Sequence, residues 1–277
     1  MDPRRHFRRA LAVVGVLAGA IAINELAGKP LPLRWSIFRS AVGANMAKTG
    51  QVGDGREKAA VAYVLANARH GDLDDVIRVL DDFARNRRFL MNIGDEKGPI
   101  LERAITRSAP KVLLEVGTYC GYSALRTIRA MPADARLFSV EISPANAAIA
   151  RQIWEHAGVA RRVTAIVGML GDSGKTIDTL RRDYGFADGT VDFVFLDHTK
   201  SAYLPDLQRI IETGWLHPGT VVVADNVKWP GAPDYLAYMR ANEASLWQTI
   251  EHEAHVEYQK LVKDLVLESD YLGALTS

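Results

Sequence analysis

An open α/β domain, with a doubly wound and mostly parallel sheet and helices on both faces, is the fold this sequence predicts. Three observations carry it. After Pro110, short apolar runs alternate with helical stretches. Each run has the length of a strand buried on both faces. The last two runs, Gln248–His255 and Leu261–Leu267, follow each other with only a short gap, which suits one antiparallel C-terminal strand.

The elements follow in order. From about Glu57 an apolar face of Ala60, Val61, Tyr63, Val64 and Leu65 predicts a helix. A second helix starts with Asp72 as its cap and carries Leu73, Val76, Ile77, Val79 and Leu80. A third runs from about Gly98 to Ser108. The strands are Val112–Val116, Leu137–Val140, Val163–Val167, Val191–Leu196 and Thr220–Ala224. The helical stretches between them are Ser123–Ala130, Pro144–His156, Gly174–Tyr184 and Tyr203–Trp215. Such alternation demands parallel pairing through right-handed crossovers. The extra N-terminal helices are placed to cover the active face.

The 277 residues are enough for one large domain with an appendage. Hydrophobic residues make up 48% and charged residues 24%, a globular balance. The net charge of +1 creates no global field for nucleic acid. Cys120 is the single cysteine, so an internal disulfide and a cysteine-rich zinc site are both excluded. At the N-terminus, Arg4, Arg5, Arg8 and Arg9 precede an apolar run over residues 10–23, shorter than a spanning helix requires. Three readings of this run stand: membrane attachment, a signal core cleaved near Ala20-Ile21-Ala22, or neither. Lys29, Arg34 and Arg39 beyond it nearly balance the arginines, so charge asymmetry gives no orientation. The division is residues 1–28 as apolar segment, 29–56 as linker and 57–277 as the catalytic domain.

Chemistry collects where strands end. The first strand runs into Glu115-Val116-Gly117-Thr118-Tyr119-Cys120-Gly121-Tyr122-Ser123. Ligands of such sheets bind beyond the carboxyl ends of the strands. Gly117 and Gly121 let the backbone bend and approach a ligand, and their G-x-x-x-G spacing departs from the dinucleotide fingerprint. Taken alone the motif fits an ordinary strand–helix turn equally well. Glu141 ends the second strand, placed to accept bonds from ribose hydroxyls or to cap the next helix. Glu115 is an acid inside an apolar strand end and needs a partner, such as an amino group of a ligand, an arginine or backbone amides. Two further strands end in Asp197 and in Asp225-Asn226. Each acid alone reads as a helix cap. Together they offer hard oxygen ligands of the kind Mg²⁺ prefers. Lys200 lies three residues after Asp197, where repulsion from a divalent ion favours a neutral amine fit for general-base work; the bland alternative is a surface lysine. His198 reads equally as a packing residue, and Glu257 alone as a loop acid.

These residues resemble the catechol O-methyltransferase family, from about Glu57 to the C-terminus. The strongest stretches are Met91–Gly98, Leu114–Ser123, Phe195–Lys200 and Ala224–Asp234. The resemblance implies a Rossmann-like domain that uses S-adenosylmethionine and Mg²⁺ to methylate one hydroxyl of a small-molecule catechol. It implies that Asp197, Asp225 and Asn226 bind Mg²⁺, that Lys200 takes the proton, and that Lys200, Asn226, Glu257 and Pro230 meet the substrate. Glu257 would hold the second hydroxyl. Ile93, Glu115, Gly117, Tyr119, Tyr122, Ser123, Glu141, Ile142 and Asp197 would form the cofactor site, with Met91 near the reactive sulfonium. Phe89 and Thr199 depart from the family, whose animal members usually carry tryptophan there, and Leu170 replaces a serine that contacts adenine. A wider pocket follows, so a larger vicinal-diol phenol such as a caffeoyl ester is a second reading. A third, of another class, is a membrane-tethered protein that binds S-adenosylmethionine without catalysis. The family includes membrane-anchored forms, and its cosubstrate is made inside cells. The expected location is therefore cytoplasmic, or membrane-associated with the catalytic domain facing the cytoplasm.

Overall fold

The computed structural model describes residues 50–258 and 262–273. The apolar run 10–23, most of the expected linker and Leu261 lie outside the described residues. Among those described, no helix is long and apolar enough to cross a membrane.

Three helices open the domain: α1 (Arg56–Asn67), α2 (Leu73–Asn86) and α3 (Gly94–Ser108). Asp72 caps α2 as expected, its side chain accepting from the Asp75 amide at 3.0 Å. The sheet and its crossovers follow as β1 (Val112–Val116), α4 (Tyr122–Ala130), β2 (Arg136–Glu141), α5 (Pro144–His156), β3 (Val163–Val167), α6 (Lys175–Tyr184), β4 (Val191–Leu196), α7 (Tyr203–Glu212) and β5 (Leu216–Ala224). Then come α8 (Pro233–Ala241), β6 (Trp247–His255) and β7 (Lys263–Tyr271). The seven strands form one sheet in the order β3-β2-β1-β4-β5-β7-β6, and only β7 runs antiparallel to its neighbours β5 and β6.

The strand sequences are continuously apolar because both faces are covered. Leu113, Phe193 and Val221 pack into one core with α1 to α5; Leu114, Val194 and Val222 pack into the other with α6 to α8. That is the burial a parallel sheet demands. The packed unit also reaches back into residues 50–56, which read as linker in the sequence. Val52 is buried, and Arg56 is fully buried with its Nη1 donating to the Phe89 carbonyl at 2.7 Å.

The larger differences from the sequence reading are three element boundaries and one helix. Helix α3 starts at Gly94 rather than near Gly98, because Gly98 and Pro99 punctuate the pattern without ending it; Lys97 is thereby helical. Strand β5 begins at Leu216 and carries a register shift against β4 where Pro218 and Gly219 interrupt its apolar run. Strand β7 continues past Leu267 through Glu268, Ser269 and Asp270, polar residues whose partners lie elsewhere: Arg107 of α3 bonds Glu268 and Asp270, and His252 of β6 bonds Glu268. The short helix α8 has no counterpart in the sequence reading.

The first turn is the tightest point of the scaffold. Gly117 has φ 104°, and a Cβ there would lie 2.2 Å from the Asp197 carbonyl oxygen. Strand ends β1 and β4 can touch only because position 117 lacks a side chain. Gly174, at φ 89°, has nothing within 4 Å of such a Cβ. Gly117→Ala is therefore expected to cost about 2–5 kcal/mol, strain plus overlap. Gly174→Ala is expected to cost about 1–2 kcal/mol, strain alone. Urea titrations of the two variants check this; equal losses would refute the close-approach argument.

Candidate active site

The loops at the carboxyl ends of β1, β2, β4 and β5 meet at the point where strand order reverses, between β1 and β4. Such a switch point opens a crevice for ligands. Glu115, Glu141, Asp197 and Asp225 sit at those strand ends.

Glu115 is fully enclosed. Its two carboxylate oxygens accept from the hydroxyls of Ser123 and Ser139, and Ser139 in turn shares a short hydrogen bond with Thr118. Burial pushes the Glu115 carboxyl up to about 7 against the help of those hydroxyls, and Asp197 and Glu141 add repulsion. Glu141 accepts from the backbone amides of Thr118 (3.2 Å), Tyr119 (2.7 Å) and Ser143 (2.8 Å). Burial raises its carboxyl, opposed by these amide bonds. The Asn146 side chain also bonds this carboxylate, so its acceptor sites are nearly filled by the chain itself and a ligand hydroxyl would share or displace one of these donors. Tyr119 holds the left-handed conformation at φ 49°, and its hydroxyl donates to Glu57 at 3.1 Å.

The remaining expected cofactor residues divide into two groups. Ile93 is buried just before α3, while Ile142 stands 47% exposed beside Glu141, with Val167 and Met169 also exposed at the next strand end. Tyr122 instead turns into the helical layer. Its hydroxyl donates to Asp81 at 2.9 Å and receives Arg126 at 3.0 Å, so its part in the crevice is structural support. Leu170 is buried in the second core.

The second half of the site lies beyond β4 and β5. Lys200 Nζ donates to Asp197 Oδ1 at 3.0 Å and to the Tyr203 hydroxyl at 2.6 Å, and reaches the Asp225 carbonyl at 3.4 Å. Tyr203 also donates to that carbonyl, at 2.9 Å. Asn226, at φ 55°, gives its side-chain amide to Glu257 (2.7 Å) and Asp264 (2.8 Å). Thr199 and Pro230 are exposed at the rim, Pro230 following a cis peptide bond, and Trp229 is 46% exposed beside it. Phe89 is buried. His198 stacks on Tyr203 and bonds Asp206 at 2.9 Å, which makes it a packing residue.

Sequence reading missed Lys97, Asp264, Tyr203 and Ser139. Lys97 is almost fully buried, and its Nζ lies 2.7 Å from Asp225 Oδ1, 2.5 Å from Glu257 Oε1 and 3.0 Å from Asp264 Oδ2. Burial works against its ammonium, but those three carboxylates outweigh it and hold its pKa well above that of an ordinary lysine. Burial also pushes the Asp225 carboxyl up, against the pull of Lys97, and Asp197 and Glu257 add to the rise, to about 8.

The donor set fits a divalent cation. Asp225 Oδ2 is buried and unpartnered, although Oδ1 serves Lys97 and the Asn226 amide. An orphaned carboxylate oxygen of this kind wants a cation. Asn226 gives its side-chain N–H donors to two acids, so its side-chain oxygen is the atom that could face a cation. Four carboxylates, from Asp197, Asp225, Glu257 and Asp264, meet two ammonium groups, from Lys97 and Lys200. With all four ionised, one divalent ion would balance the excess.

Comparison with known proteins bears on this geometry. A model of the O-methyltransferase family matches residues 70–263. A probable O-methyltransferase of Mycobacterium tuberculosis is 59% identical over 229 residues, which is 83% of this chain and 97% of that protein. The catechol O-methyltransferase of Bos taurus is 40% identical over 214 residues, covering 77% of this chain and 76% of the bovine one. Among solved structures, the O-methyltransferase TomG of Streptomyces achromogenes, in complex with SAM, superposes with a TM-score of 0.56 at 21% identity, over 87% of this chain and 97% of that chain; this likeness concerns the fold. A family model that reaches from α2 to the start of β7, with a bovine relative alike over three quarters of both chains, makes this chain a member of the O-methyltransferase family, among its catechol O-methyltransferase-like proteins.

Proposed function

We propose that the protein transfers a methyl group from S-adenosylmethionine to one hydroxyl of a catechol, with Mg²⁺ held by Asp197, Asp225 and Asn226. The observation that carries this reading is the unpartnered, buried Asp225 Oδ2 next to Asn226, with Lys200 bonded to both Asp197 and the Asp225 carbonyl. When bound, S-adenosylmethionine supplies an electrophilic methyl group, and Mg²⁺ acts as a Lewis acid toward the catechol oxygens. Every other task falls to the chain. Glu115 meets the amino group of the methionine moiety, and Glu141 takes the ribose hydroxyls. Ile93, Gly117, Tyr119, Ser123 and Ile142 shape the cofactor crevice, with Tyr122 supporting it from behind. Lys200 removes the proton from the reacting hydroxyl at its Nζ, steadied by Tyr203. Glu257 accepts a hydrogen bond from the second hydroxyl, and Pro230 walls the ring. Thr199 at the rim and the exposed Trp229 support a second reading, that larger vicinal-diol phenols such as caffeoyl esters are the better substrates.

The reading is tested by methyl transfer to a panel of simple catechols and caffeoyl conjugates, with Mg²⁺ and with EDTA. Turnover is expected only on vicinal diols and only with the metal; transfer to monohydroxy phenols at equal rate in EDTA overturns it. Lys200→Ala is expected to lower kcat about 10²–10⁴-fold while the affinity for S-adenosylmethionine changes little. Near-normal kcat removes Lys200 from the base role.

Glu115 gives a pH signature. Its folded value of about 7 lies above the ordinary glutamate value of 4.5. Without cofactor the domain therefore loses stability as pH rises from about 4.5 to 7, by about 3 kcal/mol. The same ionisation readies the site for an ammonium group. Glu115→Gln is expected to melt no lower than wild type at pH 8 in the absence of cofactor. Wild-type affinity for S-adenosylmethionine is expected to rise between pH 6 and 8, and that rise is expected to shrink in the variant. Calorimetric titrations at both pH values check it; identical pH profiles would refute the assignment.

A further inference from the structure

Lys97 sits in the first turn of α3, after Asp95 and Glu96. Acids suit that end of a helix, whose dipole is positive there; a cation does not. A buried ammonium also carries a heavy desolvation cost unless every N–H is matched. Nothing local accounts for the residue. Its three hydrogens are matched instead by Asp225 from the end of β5, Glu257 from the turn after β6 and Asp264 from the start of β7. These three acids can bring ligand oxygens within 4.8 Å of one another, the spacing of a cation site. The ammonium occupies it.

A second relation sharpens the point. Lys97 Nζ and Asn226 Nδ2 donate to the same two oxygens, Glu257 Oε1 and Asp264 Oδ2. The four groups close a ring of two donors and two acceptors. The ring keeps Glu257 drawn inward and fixes which end of the Asn226 carboxamide faces the acids. Asp225 then has Oδ1 toward Lys97 and Oδ2 unpartnered.

We infer that Lys97 is a positioning residue: its ammonium is a built-in cation that holds Glu257 and Asn226 in register and fills the place where a second divalent ion would otherwise bind. This rests on the reading above, in which Asp225 and Asn226 hold the metal and Glu257 meets the second hydroxyl. A lysine that merely stabilised the fold would leave metal stoichiometry untouched.

The test uses the full chain and Mn²⁺ as probe. Calorimetry on wild type is expected to count one ion. Lys97→Met is expected to take up two, since the vacated carboxylates are exposed to a free cation. Its KM for catechol is expected to rise at least tenfold, with the Kd for S-adenosylmethionine within twofold of wild type. A single bound ion or a wild-type KM in folded Lys97→Met protein overturns the inference. If circular dichroism shows that this variant does not fold, Lys97→Met/Asp264→Asn, which removes one charge of each sign, carries the test. It is expected to fold and to keep the raised KM; a wild-type KM there overturns the inference equally. Wild type that takes up no Mn²⁺ overturns the metal reading itself.

Discussion

Carboxylates crowded at one end of a sheet repel one another, and the rest of this structure is arranged around that repulsion. Parallel strands deliver their C-terminal residues to a common edge. Here β1, β2, β4 and β5 bring Glu115, Glu141, Asp197 and Asp225 to it, and three of the four are buried. A buried charge is tolerated only when paired or hydrogen-bonded. Each acid meets this demand differently. Glu115 leans on two serine hydroxyls, Glu141 on three backbone amides, Asp197 on Lys200, and Asp225 on Lys97 and the Asn226 amide. One oxygen of Asp225 is left over. The incomplete compensation is local, confined among these four acids to Asp225.

The fold was legible in the sequence because its cause is periodicity. Strands covered on both faces must be continuously apolar, and β1, β3 and β4 have the bounds their apolar runs suggest. The reading failed where tertiary partners override local pattern. Strand β7 carries Glu268 and Asp270 inside its length because Arg107 of α3 neutralises them. Helix α3 runs through Gly98, where a Cβ would meet the Arg126 guanidinium, so the glycine reflects packing against α4 and marks no helix end.

The site was legible to the extent that it is built from strand ends. Glu115, Glu141, Asp197 and Asp225 stand out as acids closing apolar runs. Lys97 carries no such mark. It lies in a charged stretch at a helix start, where a lysine reads as solvated. Its partner Glu257 is 160 residues away. Asp264 likewise reads as a polar interruption inside the run Leu261–Leu267 until antiparallel β7 brings it back to the Asn226 amide. Residues that meet through topology, and not through spacing, are the ones a single sequence conceals.

The two halves of the crevice are one electrostatic unit. Asp197 meets the turn after β1 through its backbone, against Gly117, and the residues beyond β4 and β5 through its carboxylate, bonded to Lys200. The same carboxylate raises Glu115 on one flank and Asp225 on the other. Burial is the larger cause at Glu115, and the Asp197 charge adds to it. A positive charge placed beside Asp197 would therefore lower the Glu115 carboxyl by relieving that repulsion, with no change of backbone needed.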